Sequence, residues 1–143
     1  MDKMKVNAHH ITDVKGLSID GTTVTATAAE LDQFILTGTI ADISTGASSW
    51  VACPCAATIE EIYTVIDGAV TVADAAISFE IGGTAVTGGG ITIAYSGSAA
   101  GTVDSATPTA LNTLTAGQAI EIITDGGSTD AAIAVVTFVM QRT

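Results

Sequence analysis

The sequence predicts an all-β fold, an antiparallel jelly-roll-like sandwich with an extended N-terminal arm and one short helix. Through most of the chain apolar and polar residues alternate, as around Ile77, Phe79 and Ile81, which is the period of half-buried strands. Turn-forming glycines, for example at 82–83 and 88–90, separate these segments at short intervals. The chain is 48% hydrophobic but only 4% aromatic, so small and β-branched side chains must build the core.

The length and one helix signal suggest how the chain is organised. Its 143 residues suffice for one domain with a core but not for two comfortable ones. Thr27 and Glu30 form a capping box, and Phe34 and Ile35 follow at helical spacing. We expect this helix to end near residues 36–38. The predicted parts are an extended arm (1–26), a short helix with its linker (27–38) and a β-sandwich domain (39–143).

The last predicted strand indicates how the protein assembles. The predicted strands are 49–53, 59–66, 75–81, 90–95, 110–114, 118–125 and 129–141. The last is apolar on both faces, because Val135 and Val139 lie on one side and Val136 and Phe138 on the other. Such a strand needs cover on both sides, and the chain has little helical sequence to provide it. We therefore expect a subunit contact on the outer face. The pattern does not say which face is outer, so the candidate interface residues are Val135, Val136 and Phe138.

The charges are unevenly placed. The formal net charge is −11, and the 4 basic residues are Lys3, Lys5, Lys15 and Arg142, all near the ends of the sequence. The negative body disfavours binding to nucleic acid or to an anionic membrane. No apolar run approaches the ~20 residues that span a bilayer, and the N-terminus lacks the apolar segment of a signal peptide. The negative charge can serve solubility alone, or it can leave a basic arm to contact an acidic surface.

The arm is predicted to be a contact segment. Turn-forming residues interrupt it, and its apolar residues are too sparse for a buried strand. A segment that becomes ordered on binding gains affinity through main-chain pairing, apolar contacts and a salt-screened term from its lysines. The candidate contact residues are Lys3, Lys5, Val14, Lys15, Leu17, Ile19 and Val24.

The two cysteines are predicted to be packing residues. A disulfide between Cys53 and Cys55 would be strained and would close almost no loop. A zinc site needs about four ligands, and the only other suitable residues, His9 and His10, lie on the arm. Buried cysteines commonly act as small hydrophobic side chains. We therefore expect no metal and no other cofactor.

No catalytic arrangement is apparent. Both histidines lie on the arm, away from any nucleophile of the body, and the chain contains no G-x-S-x-G sequence. Glu60 and Glu61 are adjacent in a predicted strand and should point to opposite faces, so they are no acid/base pair. The loop 125–130 has two aspartates but lacks the ligand pattern of a calcium loop, and a turn is expected there. We expect a structural protein and not an enzyme.

Short phrases spread over the strand-rich body are shared with one protein family. They are residues 39–45 (TIADIST), 50–51 (WV), 54–56 (PCA), 59–63 (IxxIY), 72–77 (VxxAxI), 81–83 (IGG), 101–108 (GTVDSATP), 111–112 (LN), 116–122 (AGQAIEI) and 124–126 (TDG). In these phrases the chain resembles the capsid decoration, or cement, proteins of tailed bacteriophages. Residues 25–31 (TATAAEL) are similar to a short element of phage virion proteins in general.

The resemblance implies a structural virion protein. It implies a jelly-roll-like homotrimer that is synthesised in the host cytoplasm, binds the outer surface of the phage head and stabilises the shell. The N-terminal arm would then contact the major capsid protein. A receptor-binding or fibre-tip domain of a phage virion is the alternative. Its loops would carry aromatic or charged contacts, whereas the loops of this chain are rich in glycine, serine, alanine and threonine.

Overall fold

The computed structural model describes residues 18–19, 22–23 and 28–143, which fall into two compact units. The first unit, Met1–Leu31, contains an antiparallel pair of two-residue strands, β1 (Ser18–Ile19) and β2 (Thr22–Thr23), and the helix α1 (Ala28–Leu31).

The second unit, Asp32–Thr143, is built from strands. Its strands are β3 (Gln33–Ile40), β4 (Ala47–Ala52), β5 (Ala57–Ile66), β6 (Ala75–Ile81), β7 (Thr84–Ala85), β8 (Ile91–Ile93), β9 (Val103–Ala106), β10 (Thr113–Leu114), β11 (Ala119–Thr124) and β12 (Ala134–Arg142).

These strands form two antiparallel sheets. The first sheet has the order β10-β5-β12-β3, and β9 pairs with the same edge of β5 as β10 does. The second sheet has the order β4-β11-β6-β7, and β8 pairs with β6 beside β7. The two sheets pack on a common core, so the predicted all-β sandwich is confirmed.

Alternating side chains from both sheets fill the core. Along β12 every second residue is fully buried, beginning with Ala134. Phe138 of β12 meets Phe79 of β6 edge to face, with ring centroids 5.4 Å apart and an interplanar angle of 83°. Isoleucines make up much of the remainder, and the fully buried ones include Ile59, Ile62, Ile66, Ile77, Ile93, Ile120 and Ile122.

The predicted helix is confirmed at its start and wrong at its end. Helix α1 ends at Leu31, and β3 begins at Gln33. Strand β3 pairs with β12 over its full length of 8 residues, which places Phe34 and Leu36 toward the core and Ile35 toward solvent. Long-range pairing with a central strand therefore outweighs the local helical spacing. The Thr27 hydroxyl of the predicted capping box lies outside the described residues.

The strand predictions hold best at the centre of the sheets. Strand β6 has the predicted bounds, and β5 and β11 match to within two residues at each end. Strand β12 begins at Ala134 instead of residue 129, because residues 125–133 form a loop. The short edge strands β7 and β9 were not predicted, because segments of two to four residues are too short to show the alternation of apolar and polar residues.

Candidate functional site

The outer face of the first sheet is a continuous surface with a consistent chemistry. Registered residues lie side by side across its strands: Val103, Val65, Val135 and Thr39 in one row, Ser105, Tyr63, Thr137 and Thr37 in the next, and Glu61, Val139 and Ile35 in a third. We call this set the β-branched face. Most of its members are valine, isoleucine or threonine, and Glu61 is its charged member. The exposed Glu60, left unpaired by a register shift in β5, adjoins it. Such a surface is typical of a contact face because it exposes apolar area with little charge.

Several apolar side chains of the β-branched face are open to solvent. Val103 is 59% exposed and Ile35 is 56% exposed, at opposite sides of the sheet. Between these sides, Tyr63, Val135 and Thr137 line a shallow groove of about 250 Å³. The surface therefore continues across β9, β5, β12 and β3 and is not a single exposed residue.

The carboxylate of the β-branched face is engaged by a neighbour. A hydrogen bond between the side chains of Tyr63 and Glu61 raises the pKa of the tyrosine hydroxyl above its ordinary value. Desolvation of the phenol and the negative charge of Glu61 raise this pKa further.

The structure separates the three candidate interface residues. Val135 lies on the β-branched face, and its role as an interface residue stays a prediction. Val136 and Phe138 are 0% exposed and belong to the core between the sheets. Their prediction as interface residues is wrong, because side chains alternate along β12 and these two point inward.

The predicted arm contacts fall largely outside the described residues. Ile19 lies in β1 of the first unit. The others, Lys3, Lys5, Val14, Lys15, Leu17 and Val24, lie outside the part of the chain that the structure describes. Their role stays a prediction.

The two cysteines are free thiols, and they lie two residues apart in the chain. Cys53 is buried, and Cys55 is intermediate in exposure. The Cys53 thiol donates a hydrogen bond to the carbonyl oxygen of Cys55 at 3.1 Å. The residues that the structure describes contain no group of three or more His, Cys, Asp or Glu placed to hold a metal ion.

Aspartate side chains connect the loops at one end of the sandwich through hydrogen bonds. The strand ends Ile40 and Ile66 both lie opposite Ala134, so the loops that adjoin them meet at this end. The carboxylate of Asp130 accepts hydrogen bonds from the backbone N–H of Thr71 at 2.6 Å and from its hydroxyl at 2.8 Å. These bonds, the backbone one above all, hold the pKa of Asp130 below its ordinary value.

Other aspartates of this end act in the same way. Asp67 accepts from the backbone N–H of Ile133 at 2.7 Å, and Asp74 accepts from that of Tyr95 at 2.8 Å. Asp42 accepts from the hydroxyl and the backbone N–H of Ser44, which lowers the pKa of Asp42. These carboxylates fix loop geometry, as side chains of this type do in Asx turns, and the structure gives them no catalytic arrangement.

The outer face of the second sheet differs from the β-branched face. Trp50 of β4 is 63% exposed there. Glu121 of β11 lies directly opposite Trp50 on one side and Glu80 of β6 on the other. Ile123 of β11 is at the centre of the neighbouring row, with Ser48 on one side and Ser78 on the other. We call Trp50, Glu121 and Glu80 the tryptophan–carboxylate row.

Two edge strands adjoin each other at one side of the sandwich. Within the described residues β3 pairs only with β12, and β4 pairs only with β11. Neither strand contains a charged residue or a proline, the usual protection of an exposed edge. A groove of about 370 Å³ lies between their ends, and the buried Ser49 hydroxyl nearby has no hydrogen-bond partner among the described residues. This side is a second place where another chain could pair.

Sequence patterns did not reveal several of these surface residues. The predicted helix covers Ile35, Val103 lies in a strand that was not predicted, and Trp50 lies in the predicted strand 49–53 without a predicted role. The adjacent glutamates Glu80 and Glu121 come from distant segments, so only the register of β6 and β11 brings them together.

Comparisons with protein-family models, with curated proteins and with solved structures find no match for this chain. Among the described residues no helix is long and apolar enough to cross a membrane.

Proposed function

We propose that the protein is a structural virion component, a capsid decoration protein that binds the outer surface of a phage head as a homotrimer and stabilises the shell. The observation that carries the proposal is the β-branched face, a nearly uncharged surface on a body whose charge is otherwise strongly negative. The resemblance of residues 39–126 to phage decoration proteins supplies the virion context.

The strand pairing supports a jelly-roll topology, as expected for this class. If β7 with β8 and β9 with β10 are each counted as one interrupted strand, eight strand positions remain. The first then pairs with the last (β3 with β12), the second with the second-last (β4 with β11), and so inward to the middle. This nested pairing is that of a long hairpin rolled into two sheets, an architecture that viral capsid domains use.

Subunit contacts through the β-branched face would give the trimer. Burial of valine, isoleucine and tyrosine side chains stabilises association by roughly 25 cal/mol per Å² of apolar surface removed from water, before the cost of ordering. A charged face would forfeit this gain, because each unpaired ion would have to be desolvated.

Attachment to the head would use the N-terminal arm and the symmetry of the trimer. Three arms bound to neighbouring copies of the major capsid protein act together, so weak individual contacts give a tight attachment. Because the protein binds only the assembled shell, each bound trimer shifts the equilibrium toward that state. The acidic body would not compete for packaged nucleic acid.

Cosedimentation with undecorated phage heads tests the proposal. Purified protein should pellet with heads at a saturating ratio of three copies per site, and electron microscopy should then place extra density on the outer surface. Protein found at the tail would favour the receptor-binding or fibre-tip alternative. Protein that associates with neither part of the virion would overturn both.

A further inference from the structure

The sole tryptophan of the chain stands in an unusual setting. Trp50 is 63% exposed on the outer face of β4, although tryptophan is ordinarily well buried. Its cross-strand neighbour is Glu121, and the next residue in the same row is Glu80. A broad aromatic ring and two carboxylates therefore lie side by side in the tryptophan–carboxylate row.

The two carboxylates of this row are unfavourable neighbours in the isolated fold. Two like charges directly opposite each other on adjacent strands repel. No lysine or arginine occurs from residue 16 to residue 141, so the second sheet supplies no positive side chain to Glu80 or Glu121. The like-charge pair and the solvent-exposed ring of Trp50 are two unfavourable features at one place, as is typical of binding sites.

The local shape leaves the ring and one carboxylate accessible. Trp50 and Glu121 line a pocket of about 210 Å³ together with Gly82, Gly83 and Gln118. Both glycines have positive φ, 59° and 76°, and form the tight turn between β6 and β7. No atom lies within 4 Å of the place where a Gly83 side chain would begin. The turn therefore borders the pocket without filling it.

The chemistry of the row selects a cation. The face of an indole ring attracts a guanidinium or ammonium group, and an adjacent carboxylate adds a charge-assisted hydrogen bond. Arginine satisfies both contacts at once, because its planar group can stack on the ring while its edge donates to Glu121. The second carboxylate, Glu80, loses its like-charge repulsion when the cation binds.

We propose that the tryptophan–carboxylate row is a docking site for an arginine side chain that projects from a partner protein. The charge complementarity commits the site to a basic occupant. The inference goes beyond attachment through the arm or the β-branched face, since the site lies on the other sheet. It also concerns the isolated protein and holds whether or not that protein binds a phage head.

The fluorescence of Trp50 provides a direct test, because it is the only tryptophan. A blocked tetra-arginine peptide should produce a saturable change in its emission, and a blocked tetra-glutamine peptide should produce none. Glu121→Gln should weaken binding of the arginine peptide about three- to fivefold, and Glu80→Gln should weaken it less, since exposed charge and ring contacts contribute modestly.

Matched controls separate this site from the general negative charge. Glu60→Gln removes the same charge at an exposed position of β5 in the other sheet, and it should leave peptide affinity unchanged. Trp50→Leu, measured by calorimetry, should weaken binding at least as much as Glu121→Gln, with circular dichroism confirming the fold. The proposal is overturned if Glu60→Gln weakens binding as strongly as Glu121→Gln, or if tetra-arginine leaves Trp50 emission unchanged.

Discussion

Neighbouring residues on β12 have opposite environments, which makes a matched pair of substitutions informative. Val136→Asp would place a carboxylate in the core, where its neighbours Phe138 and Ala134 are fully buried, and should cost several kcal/mol of folding free energy. Val135→Asp places the same group on the β-branched face. It should leave the protomer folded but dissociate the trimer.

Light scattering and circular dichroism distinguish these outcomes. We expect folded monomers for Val135→Asp and unfolded or aggregated protein for Val136→Asp. Val135→Thr, which keeps the shape and adds no charge, should remain trimeric. A wild-type protein that is monomeric at micromolar concentration would refute the role of this face.

The cysteines offer a second residue-scale prediction. Because Cys53 is buried and Cys55 is partly exposed, Cys53→Ala should cost about 1–2 kcal/mol of unfolding free energy and Cys55→Ala less. Both variants should keep the assembly state of the wild type. Chemical denaturation measures the free energies, and metal analysis of the purified protein is an independent check. Stoichiometric zinc would contradict a packing role.

Asp130 should contribute to acid stability. Its pKa in the folded protein is lowered from the ordinary value of 3.8 by the hydrogen bonds from Thr71. A lowered pKa means that the folded state favours the carboxylate, so this contribution is complete above pH 3.8 and disappears as the pH falls through the lowered value. The melting temperature of Asp130→Asn should therefore fall less steeply than that of the wild type as the pH is lowered.

The control for this experiment is Asp104→Asn, which removes one carboxylate from β9, away from these loops. It should leave the acid limb as steep as in the wild type. An Asp130→Asn protein whose stability falls with acid as steeply as the wild type would show that the contact with Thr71 does not stabilise the folded state.

At the scale of elements, the sequence predicts the central strands and fails at the edges. Strand β6 alternates cleanly because one face is buried and the other is open, so its bounds can be found from period alone. Strand β3 carries a helical spacing at Phe34 and Ile35, and only its pairing with β12 decides its structure. For β12 both faces are apolar, so no local pattern could decide that Val135 points outward.

The close approach of β3 to the second sheet gives a testable prediction at this scale. Gly38 lies on the inward side of β3, and a side chain there would overlap Ile122 and, at 2.7 Å, Val51. Gly38→Ala should therefore cost about 1–3 kcal/mol, because a well-packed core resists added volume. Gly90→Ala is the control, since its nearest neighbour, the carbonyl oxygen of Ile77, would be 4.0 Å from the new methyl group.

Denaturant unfolding should show the difference between these two glycine variants. Gly90→Ala is expected to be neutral. Equal stability of both variants would mean that β3 moves outward to admit the methyl group, and the sheet would then be looser along this edge than its pairing implies.

At the scale of the whole molecule, charge and apolar surface are segregated. Residues 32–143 contain eleven carboxylate side chains and one basic residue, Arg142. The guanidinium of Arg142 lies 5.9 Å from the ring centroid of Phe34. Several of the aspartates hold loops at one end of the sandwich, while the β-branched face carries Glu61 with Glu60 beside it. The sequence revealed this imbalance in sum, but the placement of the charges depends on strand register and could not be inferred from composition.

In the proposed function, trimer formation and head attachment use different parts of the chain. Residues 32–143 contain both sheets and the core, so a protein without residues 1–26 should fold and keep its β-branched face. Its attachment to phage heads should be lost or strongly weakened. Changing Lys3, Lys5 and Lys15 to Ala should have a smaller effect that appears mainly at low ionic strength, because exposed charges are screened by salt.

A cosedimentation titration of the three proteins with undecorated heads at two salt concentrations tests this division of roles. Light scattering on the same samples verifies that each remains a trimer, so a loss of binding cannot be ascribed to lost avidity. The apolar contacts of Val14, Leu17, Ile19 and Val24 should survive high salt, which would keep the triple-alanine protein close to wild type under that condition. Arm-deleted trimers that bind heads as tightly as the full-length protein would place the contact on the β-sandwich, with the uncharged edges of β3 and β4 as the next surfaces to test.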